Sequence, residues 1–149
     1  MKKNEMMDRP IVKEEIVDFM RKELKPFTGK LGDIEAYANE RRIPIIPHET
    51  AVFLNMIVGQ IKPQHILEIG TAIGFSGSLM AQHIGKDGHL TTIDRFDIMI
   101  ERAKANFERM GLKDQVTLLE GDAADILPTL TGPYDFIFMD SAKAKYYEF

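Results

Sequence analysis

Four carboxylates stand at or just beyond the ends of short apolar runs in the second half of the sequence. They are Glu68 in "HILEIGTAIGFSG", Asp94 in "LTTIDRFD", Asp122 in "EGDAAD" and Asp140 in "YDFIFMDSAK". After Glu68 the run breaks at Gly70 and re-forms around Gly74 and Gly77, a turn in which a ligand can approach bare backbone. The spacing is ExGxxxG. A dinucleotide fingerprint would read GxGxxG, and Ala72 occupies the place of its second glycine. The glycines could also serve only to pack a strand against a helix. Asp94 lies 24 residues past Gly70, where a strand-end carboxylate can accept from ribose hydroxyls; a helix N-cap or a solvated acid is the plainer alternative. Gly121 turns the chain so that Asp122 can accept from an adenine amino group, cap the helix starting at Ala123, or do both. Asp140 ends the most apolar of these runs, with Lys143 one turn on, and a carboxylate there needs a cation, a donor or water.

These residues require a particular scaffold. Apolar strands are predicted at 65–69, 89–93, 116–119 and 134–139, alternating with helices near 74–83, 97–110 and 123–130. Such β-α-β units imply an α/β fold with a parallel sheet and helices on both faces, and ligands of such sheets lie outside the carboxyl ends of the strands. Upstream, helices are expected over "IVKEEIVDFMRKEL", over "DIEAYANERR" with Asp33 as a possible N-cap, and from His48 to Ile61, a helix that Pro63 stops. "KPFTGKLGD" reads as a linker between the first two. The expected division is an N-terminal helical extension over 1–62 and a ligand-binding domain over 63–149.

Composition narrows the function. The chain has 149 residues, enough for one core, and no cysteine, which excludes disulfides and thiolate metal sites. Any metal must use oxygen or imidazole, and the four histidines show no ligand spacing. The net charge of −4 argues against a generally basic nucleic-acid binder. Arg41 and Arg42 read as a solvated helix end or a local RNA phosphate contact. No run approaches a membrane span and the charged opening "MKKNEMMDRP" is followed by no apolar stretch, so no membrane contact and a cytoplasmic location are expected.

Together the four motifs resemble class I S-adenosylmethionine-dependent methyltransferases, which have a Rossmann-like fold, and in particular the metal-dependent O-methyltransferase family of the catechol and caffeoyl-coenzyme A enzymes. The likeness covers about residues 33–149. "DIEAYANERRIPI" is most similar to the bacterial branch that methylates 5-hydroxyuridine in the tRNA anticodon. The resemblance implies S-adenosylmethionine and a divalent ion, magnesium, as cofactors. It assigns Glu68, Gly70 and Ser76 to the methionine end of the cofactor, Asp94 to its ribose, and Asp122 and Ala123 to adenine, with Gly121 and Asp140 also among the cofactor-binding residues. Ile46 becomes a backbone contact, Asp140 a metal ligand and catalytic residue, and Lys143 a catalytic lysine beside the reacting hydroxyl. The implied acceptor is tRNA, with a small hydroxylated aromatic as the alternative. Ala142 stands where coenzyme A enzymes carry a second acid, which counts against such esters. The family continues past the position of Phe149 and supplies an Asp-Asn metal pair there, so the expectation is a C-terminally truncated chain lacking its last strands and two metal ligands. Its open sheet edge would favour association, including a homodimer, and without the metal pair it could act as a non-catalytic cofactor-binding module.

Overall fold

The computed structural model describes residues 13–141 and 146–147. Three helices lead the chain: α1 (Glu14–Glu23), α2 (Gly29–Arg41) and α3 (His48–Ile61). The sheet then alternates with helices: β1 (His65–Ile69), α4 (Phe75–Ala81), β2 (His89–Asp94), α5 (Asp97–Met110), β3 (Val116–Glu120), α6 (Ala123–Ile126) and β4 (Phe136–Met139). All strand pairs are parallel, in the order β3-β2-β1-β4. Among the described residues no helix is long and apolar enough to cross a membrane.

Strand alternation divides the interior into two layers. Ile66 and Leu90, paired across β1 and β2, join a core built by Ile34, Leu54, Leu79 and Phe107 of α2, α3, α4 and α5. The intervening residues Leu67, Ile69 and Ile93 point to the other face, against Ala123, Ile126 and Leu127. The two-faced expectation therefore holds. β1 is buried on both faces after its first residue, which is why it reads as an almost unbroken apolar run.

Several boundaries differ from the sequence reading. Asp33 does not cap α2, which starts four residues earlier at Gly29 after Thr28, so half of the expected linker is helix. Gly32 lies so close to the preceding chain that a Cβ would stand 2.3 Å from the Phe27 carbonyl oxygen. This glycine permits packing rather than a turn. The helix expected over 123–130 is α6 followed by a 3-10 turn at Leu127–Thr129, because Pro128 has no N–H for a continuing α-helix. β4 begins at Phe136 rather than Tyr134. Just before it, Asp135 Oδ2 accepts from the N–H groups of Gln64 and His65, each at 2.8 Å, which pins β4 beside the start of β1. Those N–H donors, His65 foremost, hold the Asp135 carboxyl below its ordinary range.

Candidate functional site

The carboxyl ends of β1, β2, β3 and β4 open into one cleft of about 680 Å³. Ile46, Gly70, Ser76, Asp94, Gly121, Asp122, Ala123 and Asp140 all line it. Residues 70–74 turn between β1 and α4, with Gly70 at φ 102° and Gly74 at φ 77°. A Cβ on Gly70 would stand 2.1 Å from the Asp140 carbonyl oxygen, so only glycine allows β1 and β4 to meet at the cleft floor. On the opposite side of the turn, Phe107 touches Gly74 and Asn106 Nδ2 donates to the Ile73 carbonyl at 2.8 Å.

Asp94 is the keystone of this turn. Its Oδ2 accepts from Ala72 N–H at 2.7 Å, and its Oδ1 from the N–H groups of Arg95 at 2.8 Å and Phe96 at 3.0 Å. A carboxylate offers roughly four acceptor directions, so about one remains for a ligand. The N-cap of α5 is Phe96, so the helix-cap alternative for Asp94 is not realised. Asp122 does cap α6, its Oδ1 accepting from Ala124 N–H at 3.0 Å, while its Oδ2 accepts from Arg95 Nη1 at 2.7 Å. That ion pair lies at the cleft mouth, where Arg95 also covers the Phe96 ring. Much of the remaining wall is apolar, with Pro44, Ile45, Ile93, Ile98 and Met99, and Thr71 and Ser141 add polar atoms to it. A slot with apolar sides and carboxylates at the ends of β2 and β3 suits a nucleoside, the base between side chains and the sugar on an acceptor.

Glu68 does not reach the cleft surface. It is fully buried behind the turn, where Ser76 Oγ donates to Oε1 at 2.5 Å and Thr92 Oγ1 to Oε2 at 2.6 Å. The Thr71 and Thr92 hydroxyls lie 2.6 Å apart and extend this chain. Burial pushes the Glu68 carboxyl up to about 7, against the pull of the Ser76 and Thr92 hydrogen bonds, and the like charges of Asp140 and Asp94 add to the rise. Thr71, Thr92, Arg95 and Asn106 escaped the sequence reading. Thr92 carried a faint signal as a polar residue in an apolar strand on the same face as its neighbour Glu68.

Among the described residues no group of three or more His, Cys, Asp or Glu is arranged to hold a metal ion. Asp140 offers a single carboxylate, so the implied magnesium site does not fit these residues and no chemistry is assigned to it. Lys143 and Ala142 lie outside the described residues.

Residues 19–149 match the model of the O-methyltransferase family. The chain belongs to that family. A catechol O-methyltransferase of Mycobacterium tuberculosis is 39% identical over 92 residues, which are 61% of this chain and 42% of that protein. One from Niastella koreensis is 36% identical over 118 residues, 76% of this chain and 53% of that protein. The chain thus spans about half the length of these relatives. Among solved structures, an O-methyltransferase from Bacillus cereus in complex with SAH superposes with a TM-score of 0.76 at 26% identity, covering 88% of this chain and 62% of its own. Family membership agrees with the fold and the cleft: three of the four strand-end acids of the sequence, Asp94, Asp122 and Asp140, line it, and Glu68 is buried behind it.

Proposed function

We propose that this protein is an S-adenosylmethionine-dependent O-methyltransferase whose acceptor is a hydroxyl on a small aromatic molecule. The observation that carries the reading is the convergence of the Gly70–Gly74 turn, Asp94 and Asp122 on one apolar-walled cleft. Asp94 would take a ribose hydroxyl on its remaining acceptor direction, and the apolar walls with Asp122 would bracket adenine. Ser76 and the Gly70 backbone would border the methionine end, beside Asp140. The cofactor's contribution is an electrophilic methyl group for the acceptor oxygen, and the cleft's contribution is to hold the two in line with little freedom left to lose. The catechol enzymes among the relatives favour a small aromatic acceptor.

A second acceptor, 5-hydroxyuridine in a tRNA anticodon, draws support from the end of α2. Arg41 and Arg42 immediately precede Ile43 and Pro44, where the chain turns into the cleft wall, and Arg41 covers the Tyr37 ring. Transfer of a labelled methyl group from S-adenosylmethionine to a catechol, and to tRNA carrying 5-hydroxyuridine, with and without magnesium, separates the two. Transfer to the catechol alone is expected, and transfer to tRNA alone would replace the acceptor. Calorimetric binding of S-adenosylmethionine without transfer to either would leave a cofactor-binding module. Asp94→Ala should weaken that binding by about 1–3 kcal/mol, the scale of lost charge-assisted hydrogen bonds; absence of binding by the unaltered chain would overturn the reading.

A further inference from the structure

Glu68 is fully buried and does not line the cleft, yet it lies directly beneath the turn that does. Its carboxyl group is sealed between the turn and α4: a Cβ on Gly77 would stand 2.8 Å from Oε2, with Leu90 and Phe107 alongside. The charges that bear on it are Asp94 at the end of β2 and Asp140 at the end of β4, both negative. α4 contributes no ionisable side chain, and α5 approaches with the Phe107 ring. Among the described residues no cation is ion-paired with Glu68. Among the described residues this buried carboxylate lacks a counter-charge, and the cleft, in which one could sit, is lined by its partner Ser76 and by Thr71, which bonds its other partner Thr92.

We propose that Glu68 exchanges a proton with solvent according to the charge of the ligand in the cleft, neutral beside an empty cleft or an uncharged thioether and ionised beside a sulfonium. The inference rests on the reading that the cleft takes S-adenosylmethionine. The hydroxyl chain fits both states. With Glu68 ionised, Ser76 donates to Oε1, Thr92 to Oε2 and Thr71 to Thr92. With Glu68 protonated, Oε2–H donates to Thr92, Thr92 to Thr71, and Ser76 still donates to Oε1; only hydroxyl rotations separate the two. The step breaks one carboxyl O–H bond. The proton moves from Oε2 to the Thr92 hydroxyl as Thr92 passes its own to Thr71 and Thr71 passes its own to water in the cleft, which leaves the ionised arrangement, and no electron changes hands. A carboxyl raised to about 7 by burial is poised for this exchange near neutral pH. Glu68 thereby becomes a specificity-determining residue, favouring the methylated cofactor over its demethylated product increasingly as pH rises.

The test is titration calorimetry of the chain with S-adenosylmethionine and with S-adenosylhomocysteine, in buffers of different protonation enthalpy between pH 6 and 8, with a chelator present. Near pH 7 the sulfonium ligand should release more protons than the thioether, and its affinity relative to the thioether should rise about fivefold from pH 6 to pH 8. Glu68→Gln should bind both ligands without that difference. In the unaltered protein, the infrared band of a protonated carboxyl should disappear on adding the sulfonium and persist with the thioether, a readout that does not depend on the variant folding. Binding of both ligands with equal proton release and an unchanged band would overturn this inference while leaving the cofactor assignment intact. Failure of either ligand to bind would overturn both.

Discussion

Glu68 sets a pH dependence that is testable without any ligand. Its folded carboxyl is raised from 4.5 to about 7 by burial, so between those values the native protein holds a proton that the unfolded chain has lost. Stability from this group therefore falls as pH rises through that window and is level above it, with a total on the order of 3 kcal/mol. Urea unfolding at pH 5, 6, 7 and 8 should show this decline in the unaltered chain and a flatter profile in Glu68→Gln, whose amide can donate to Thr92 and still accept from Ser76. Parallel profiles would mean that Glu68 does not titrate in this range. The acids that bear this chemistry were legible in the sequence because a carboxylate interrupting an apolar strand is costly without a purpose. Their division of labour was not. Nothing in the letter order distinguishes Glu68, sealed behind the turn, from Asp94, which accepts from the Ala72 N–H of the turn and from the Arg95 and Phe96 N–H groups that follow β2. That distinction comes from strand alternation and from how tightly Gly70 and Gly77 let neighbouring elements close.

Among the elements, the turn from β1 to α4 carries strain at a single residue. Ala72 has φ 46°, a left-handed conformation that costs a residue with a Cβ about 1–2 kcal/mol. The hydrogen bond from its N–H to Asp94 helps to hold it there. Ala72→Gly should therefore stabilise the protein by about 0.5–1 kcal/mol after the entropy of the freer unfolded chain is counted. Ala103→Gly within α5, where the methyl group is fully buried, should instead cost about 1 kcal/mol or more. Thermal or denaturant unfolding of the two variants should give opposite signs, and a loss of stability in both would show that the Ala72 methyl group contributes more packing than its conformation costs. The sequence located this turn by its glycines but misplaced the start of α2, where glycines also occur. Gly32 is a close-packing residue inside a helix, and Gly70 one at a strand end. A glycine marks close approach and free rotation with the same letter, so boundary errors fall where the two uses differ. Pro128 was as visible as any residue, yet its effect was to convert a helical turn rather than end one.

Across the whole molecule, strand order follows from the handedness of the connections. Running β1 to β2 to β3 in one direction with right-handed crossovers puts α4 and α5 on one face, and the return past β1 to β4 puts α6 on the other. The sequence supplied the strands and their burial, but their order required the three-dimensional result. The face bearing α4 and α5 also receives α2 and α3. Ile34, Ala38, Leu54 and Val58 belong to the same apolar cluster as Ile66, Leu79 and Leu90, and a bidentate pair from Arg21 to Glu49 joins α1 to α3. One apolar cluster thus draws on residues before and after residue 62. On this basis the leading helices and the sheet should unfold together. Ile34→Ala and Leu54→Ala, each in a buried position, should cost about 2–4 kcal/mol. The informative measurement is hydrogen exchange at the amides of β1 and β2, which neither substitution alters directly. In one cooperative unit their protection should drop by the same free energy as global stability. If the helices formed a separate domain, the loss would be confined to α2 and α3 and the strand amides would keep the protection they have in the unaltered chain.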